Sequence, residues 1–149
     1  SSVSLSKHYL KGMLDRNWGR ILFISSECAY LVPPDMISYS ATKASMHAVS
    51  RGLAHITRGT EVTSNVIVPG STLTKGAKNF LNEKAITENT SIDNIEKDFF
   101  NNTRTSSLLE RFASTDEVAN TITYLCSPLS SATNGSVIKV DGGSSGGIL

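Results

Sequence analysis

"GRILFISSECAYLVPPDMISYSATK", residues 19–43, joins an apolar run, a proline-bearing loop and the start of a helix, and that succession sets the fold class. Arg20 to Ser25 is short and rich in Ile and Phe, which suits a strand buried on both faces, as in a parallel sheet. Pro33, Pro34 and Asp35 mark the loop. A helical pattern then runs from about Met36 to Arg58, where Ala44, Ala48 and Ala54 allow close packing, and Gly59 stands where a helix stops. Within that helix Tyr39 and Lys43 are four positions apart, so phenol and ammonium project from one face. Taken alone, such a pair is an ordinary solvated helix face. The sharper reading is an acid–base pair, in which the cation favours the ionised phenol.

Outward from this stretch the alternation continues. Leu5, Tyr9, Leu10, Met13 and Leu14 lie on one face of a helix over Leu5 to Arg16, closed by Gly19. Val62 to Val68 reads as a second strand, stopped by Pro69-Gly70. Residues 71–107 are the most polar part and read as a mobile loop with one or two short helices, such as Ile92 to Asn101. Ser114 and Glu117 form a capping box that starts a helix running to about Cys126. Ser136 to Gly142 is the last strand. Helices and strands in this order argue for an α/β parallel sheet with right-handed crossovers. Three strands make a narrow sheet, and one long edge of it would be unpaired apolar backbone.

Composition excludes several classes. The 149 residues suit one domain, with 39% hydrophobic and 18% charged residues and a net charge of +1. Such a balance offers no basic stripe for nucleic acid or an anionic membrane. No apolar run approaches the ~18 residues needed to cross a bilayer. The N-terminal residues lack the apolar core of a signal peptide, so Asn89, Asn101 and Asn134 are chance sequons and the chain reads as intracellular and cytoplasmic. Cys28 and Cys126 fit no metal-ligand spacing and are expected to be two buried, reduced thiols.

Five signals now stand in order: GRILFISS, YSATK with Tyr39 thirteen positions after Ser26, VPGSTLT, RFASTDEVANTITYL and VIKVDGG. Together they resemble the C-terminal portion of the short-chain dehydrogenase/reductase family, of the type with a single Rossmann-like domain. The resemblance implies that residues 1–149 are the C-terminal part of a doubly wound parallel-sheet domain. It implies hydride transfer between a nicotinamide cofactor, NAD or NADP, and a carbonyl or secondary alcohol substrate. Tyr39 matches the catalytic tyrosine that exchanges a proton with the substrate oxygen, and Lys43 the lysine that supports it and bonds the nicotinamide ribose. Ser26 matches the serine that holds the substrate oxygen; the thirteen-residue gap selects it over Ser25, which reads as a strand-end residue. Pro69 and Gly70 end a strand where the cofactor passes, and Gly70 would let the backbone approach it closely. Thr72 would offer its backbone N–H to the nicotinamide carboxamide and Thr74 its hydroxyl, while Thr74 also suits a helix N-cap. Val140 to Gly143 match a structural signature near the family's dimer interface.

The family's glycine-rich dinucleotide turn has no counterpart here, nor has its N-N-A-G motif. Gly142 to Gly147 hold glycines but precede only Ile148 and Leu149, and read as a flexible tail. Family members of this type run to about 250 residues, so roughly 100 are expected to be absent. The alternative is a non-catalytic fragment or scaffold that keeps the fold without binding cofactor. A serine hydrolase is disfavoured, because His8, His47 and His55 accompany no G-x-S-x-G elbow, although His47 lies near Lys43 on its helix. The resemblance further implies a homodimer or homotetramer through the helices of residues 1–16 and 37–58. Tyr30, Leu31, Val32 and Met36 suggest either an apolar wall beside the substrate or, equally, packing residues.

Overall fold

The computed structural model describes residues 2–147. Its elements are α1 (Ser2–Asp15), β1 (Gly19–Ile24), α2 (Cys28–Leu31), α3 (Ile37–Ile56), β2 (Val62–Pro69), α4 (Lys75–Thr87), α5 (Ile92–Asp98), α6 (Thr115–Cys126) and β3 (Val137–Val140). The three strands are parallel in the order β1-β2-β3, with Phe23 opposite Val66 and Val66 opposite Val137. Every connection between them must cross over a face, and helices supply the cover. Ile21, Phe23, Val66 and Val68 point to one side, where Leu10 and Met13 of α1 and Met46, Val49 and Leu53 of α3 close over them. The opposite side carries α6, whose Val118 and Leu125 are buried.

The central strand β2 is buried from Val62 to Val68 although it holds Thr63, Ser64 and Asn65. Burying polar side chains requires partners. Ser64 Oγ lies 3.0 Å from Ser50 Oγ of α3, and Asn65 donates to the Thr133 carbonyl (2.8 Å) while accepting from the Ser136 amide (3.0 Å). These bonds fix β2 to α3 on one side and to the entry of β3 on the other.

The alternation expected from the sequence is present, and three local expectations are corrected. Residues 71–107 hold two helices and a π-helical turn (Phe99–Thr103) instead of mostly loop. Leu81 and Ala85 of α4 pack on Ile95 of α5, with Leu73 and Phe112 against them, and Phe99, Phe100 and Phe112 meet with ring centres 5.0–5.2 Å apart. Cys28 is buried but Cys126 is exposed, on the outer face of the last turn of α6. Residues 142–147 are tied down rather than loose: the buried Asp141 carboxylate accepts from the amides of Gly143 and Ser145 (3.0 Å each) and from the Ser145 hydroxyl. Ile148 and Leu149 lie outside the described residues.

Candidate active site

The carboxyl ends of β1 and β2 and the first turns of α3 meet on one edge of the fold. Tyr39 and Lys43 stand on consecutive turns of α3, and Lys43 Nζ is 5.5 Å from the centre of the Tyr39 ring. Lys43 is held at both ends. Its Nζ donates to the Ile24 carbonyl (2.9 Å), and its own carbonyl accepts from Ser25 Oγ (3.0 Å). An ammonium has three protons to donate, so one bond anchors it and leaves two for a ligand. Tyr39 is 41% exposed, and among the described residues its hydroxyl has no hydrogen-bond partner.

Ser26 lies just beyond β1. Its Oγ accepts from the Cys28 amide (3.2 Å) at the start of α2, which occupies a lone pair and leaves the O–H proton to point elsewhere. Ser25, one residue earlier, is 3% exposed and spends its single proton on Lys43. His47 Nε2, 2.9 Å from Ser25 Oγ, therefore carries the hydrogen of that contact. Burial pushes the His47 imidazole below its ordinary titration range, which favours the neutral ring in that role. Ser25–His47 is thus a support beneath Lys43 and no nucleophile–base pair, which removes the geometric basis for a hydrolase.

The end of β2 approaches the same edge, because the Glu27 amide donates to the Pro69 carbonyl (2.9 Å). Thr72 forms an isolated parallel bridge with Ala113, made by Leu73 N–H to Ala113 O (2.8 Å) and Ala113 N–H to Ser71 O (2.9 Å). In a parallel bridge the flanking residues make the bonds, so the Thr72 N–H is turned to the opposite edge. Thr74 is the N-cap of α4, its Oγ1 accepting from the Ala77 amide (3.2 Å), as its N-cap reading anticipated. Gly70 is small for a reason the sequence did not reveal. A Cβ there would lie 2.6 Å from Asp141 Cα, so the space is taken by protein backbone.

Of the proposed apolar wall, Tyr30 instead packs its ring on His47 (5.5 Å between centres) and under Lys139 Nζ (4.6 Å). Burial, then the nearby Asp141, keep its hydroxyl protonated to higher pH than usual. Val32 adopts φ 44°, a left-handed conformation that is costly for a β-branched residue. Sequence reasoning missed three residues altogether. The Glu27 carboxylate, 3% exposed, accepts from Arg104 Nε (2.8 Å) and from Ser71 Oγ (3.0 Å) through one oxygen, Oε1. A glutamate directly after Ser26, inside the otherwise uncharged SSECAY, was the available signal.

Comparison with known proteins assigns the family. The family model described as enoyl-(acyl carrier protein) reductase matches residues 1–145. The chain belongs to the short-chain dehydrogenase/reductase family. Among its relatives is the uncharacterized oxidoreductase YvaG of Bacillus subtilis, 41% identical over 143 residues, which cover 96% of this chain and 54% of YvaG. Another is the 3-oxoacyl-(acyl-carrier-protein) reductase FabG of Aquifex aeolicus, 30% identical over 139 residues, 93% of this chain and 50% of FabG. The solved structure of YwfH, described as an NADPH-dependent reductase, shares the fold with a TM-score of 0.79 at 22% identity, over 96% of this chain and 53% of YwfH. This member of the family therefore spans about half the length of the curated relatives it matches.

Proposed function

We propose that this chain carries the catalytic half of an oxidoreductase that moves a hydride between NAD or NADP and a carbonyl or secondary alcohol carbon. The single observation that carries this reading is the anchoring of Lys43 beside an exposed Tyr39, by bonds to Ile24 and Ser25 on the strand that delivers Ser26. The donor set fits a nicotinamide ribose and carboxamide: two unspent protons on Lys43, the outward amide of Thr72 and the Thr74 hydroxyl, beside the Pro69–Gly70 backbone at the end of β2. Held there, a dihydronicotinamide would supply the hydride for the carbonyl carbon.

The chain's own residues do the rest. Ser26 donates its O–H to the substrate oxygen and holds it in place. As that oxygen gains electron density, Tyr39 delivers a proton to it, so that hydride plus proton convert the carbonyl to an alcohol. The positive charge of Lys43 stabilises the negative charge that develops on the phenol oxygen. Oxidation of an alcohol runs the same steps in reverse. Exposed Val3, Leu5 and Tyr9 on α1 and Ile37 and Ile56 on α3 support association into a homodimer or homotetramer through these helices, which light scattering tests.

Titration of the protein as its source makes it with NADH and NADPH, followed by nicotinamide fluorescence, tests the function. Saturable binding of either is expected. A non-catalytic scaffold would show no saturable response to both.

A further inference from the structure

Buried charges are rare and need a reason, and Glu27 has the most buried carboxylate at the site's edge. Its Oε1 joins three segments far apart in sequence: its own turn, Ser71 forty-four positions on, and Arg104 seventy-seven positions on. Each contact has a neighbour of consequence. Glu27 follows Ser26, whose Oγ is set by the next amide but one. Ser71 precedes Thr72. Arg104 closes the π-helical turn that ends the α4–α5 segment, its amide donating to the Phe99 carbonyl (2.8 Å) and its guanidinium lying 5.9 Å from the Phe99 ring. Arg104 is itself largely buried, with Nη2 3.8 Å from Cys28 Sγ.

We propose that Glu27 is a positioning residue: its carboxylate latches the α4–α5 segment, through Arg104, and the loop after β2, through Ser71, onto the turn that carries Ser26. The functional part of this proposal rests on the oxidoreductase reading above. Within the described residues α4 and α5 pack chiefly on each other; Leu73, the Glu96 carboxylate accepting from the Phe112 amide (3.0 Å), the aromatic cluster and Arg104 tie them to the rest of the fold, and Arg104 reaches the turn that carries Ser26. Among the described residues the second carboxylate oxygen, Oε2, is buried without a hydrogen-bond partner. A carboxylate satisfied on one oxygen only is a latch that can part, because opening returns Oε2 to water. Ordering of the segment, the Ser26 turn and the Thr72 amide is thereby set by one group.

Hydrogen exchange by mass spectrometry on the full natural protein tests this without reference to turnover. In Arg104→Gln and in Glu27→Gln, amides of residues 75–104 are expected to exchange roughly tenfold faster or more, while those of β2 and α3 keep their parent rates. Arg104→Lys, which keeps the charge but loses the Nε contact, restores part of the protection. Should the charged-pair variants fail to fold, Ser71→Ala removes one donor without stranding a charge and is expected to show the same local pattern, more weakly. Unchanged exchange in residues 75–104 would overturn the latch, and so would acceleration spread equally through β2 and α3, which marks plain loss of stability. In steady state, Arg104→Gln is expected to raise KM for the carbonyl substrate roughly tenfold and to weaken cofactor binding as well, since the Thr72 amide loses its place. A parent that binds neither NADH nor NADPH would sink the oxidoreductase reading, and the exchange pattern would still decide the latch.

Discussion

At the scale of single residues, the proposed chemistry gives Tyr39 and Lys43 different work, and their variants separate it. Tyr39→Phe removes the proton and keeps the ring, so kcat/KM should fall roughly 10²–10⁴-fold while NADH or NADPH affinity barely changes. Lys43→Ala should weaken both, because in the proposed site the same ammonium serves the phenol and the cofactor's ribose; cofactor titration of the two variants side by side shows the contrast. Gly70→Ala is a test of packing: its Cβ would meet the Asp141 backbone at 2.6 Å, and overpacking of this kind costs about 1–3 kcal/mol, read by urea unfolding. That Tyr39 and Lys43 share a helix face was legible in the sequence from their spacing alone, whereas their proposed roles, and the choice of Ser26, came from the resemblance to the family. Glu27 and Arg104 were not legible, since their pairing spans seventy-seven positions and no local period announces it. The packing of Gly70 against Asp141 escaped notice for the same reason: Asp141 arrives from a distant strand end.

Elements add their own electrostatics. The capping box of α6 is present in full, with Glu117 accepting from the Ser114 amide (2.8 Å) and Ser114 Oγ from the Glu117 amide (3.1 Å). Arg111 grips the same carboxylate with both nitrogens (2.9 and 3.0 Å), and this bond, then the Ser114 amide, holds Glu117 down to about 2. A carboxyl lowered in the folded state contributes stability above its ordinary value of 4.5 and loses it as pH falls toward 2. Glu117→Gln should therefore unfold more easily than the parent at neutral pH, and the difference should close as pH falls through about 2. Ser114→Ala should cost about 1 kcal/mol. His47 works in the opposite setting. Its imidazole is lowered by burial, so the unfolded chain takes up the proton first and stability falls as pH drops below 6.5. His47→Gln should flatten that part of the pH–stability curve. The capping box could be read from four letters and α5 as the short helix expected over Ile92 to Asn101, whereas the full length of α4 and its packing on α5 could not. Their polar surfaces dilute the few apolar positions, Leu81, Ala85 and Ile95, whose burial only tertiary contact reveals.

On the scale of the whole molecule, the alternating order of apolar runs and helical repeats was enough to give a parallel α/β sheet, because parallel strands demand helical crossovers. It also exposed the narrowness of that sheet. The outer edge of β1 has no partner strand among the described residues, and Ile24 and the α1 residues Leu5 and Tyr9 stand exposed beside it. The chain covers about half of the relatives it matches, and the glycine-rich turn of the family is not among its residues. Catalysis as proposed needs that turn to hold the pyrophosphate, so activity belongs to a protein that supplies it.

The most direct test follows the loss of reduced nicotinamide by the natural protein and by Tyr39→Phe, side by side, over a panel of aldehydes and ketones. The proposed chemistry predicts that the parent consumes NADH or NADPH in step with the alcohol formed, and that Tyr39→Phe still binds the cofactor but turns over at most roughly one-hundredth as fast. A Tyr39→Phe protein that matches the parent's rate would contradict the role of the Tyr39–Lys43 pair.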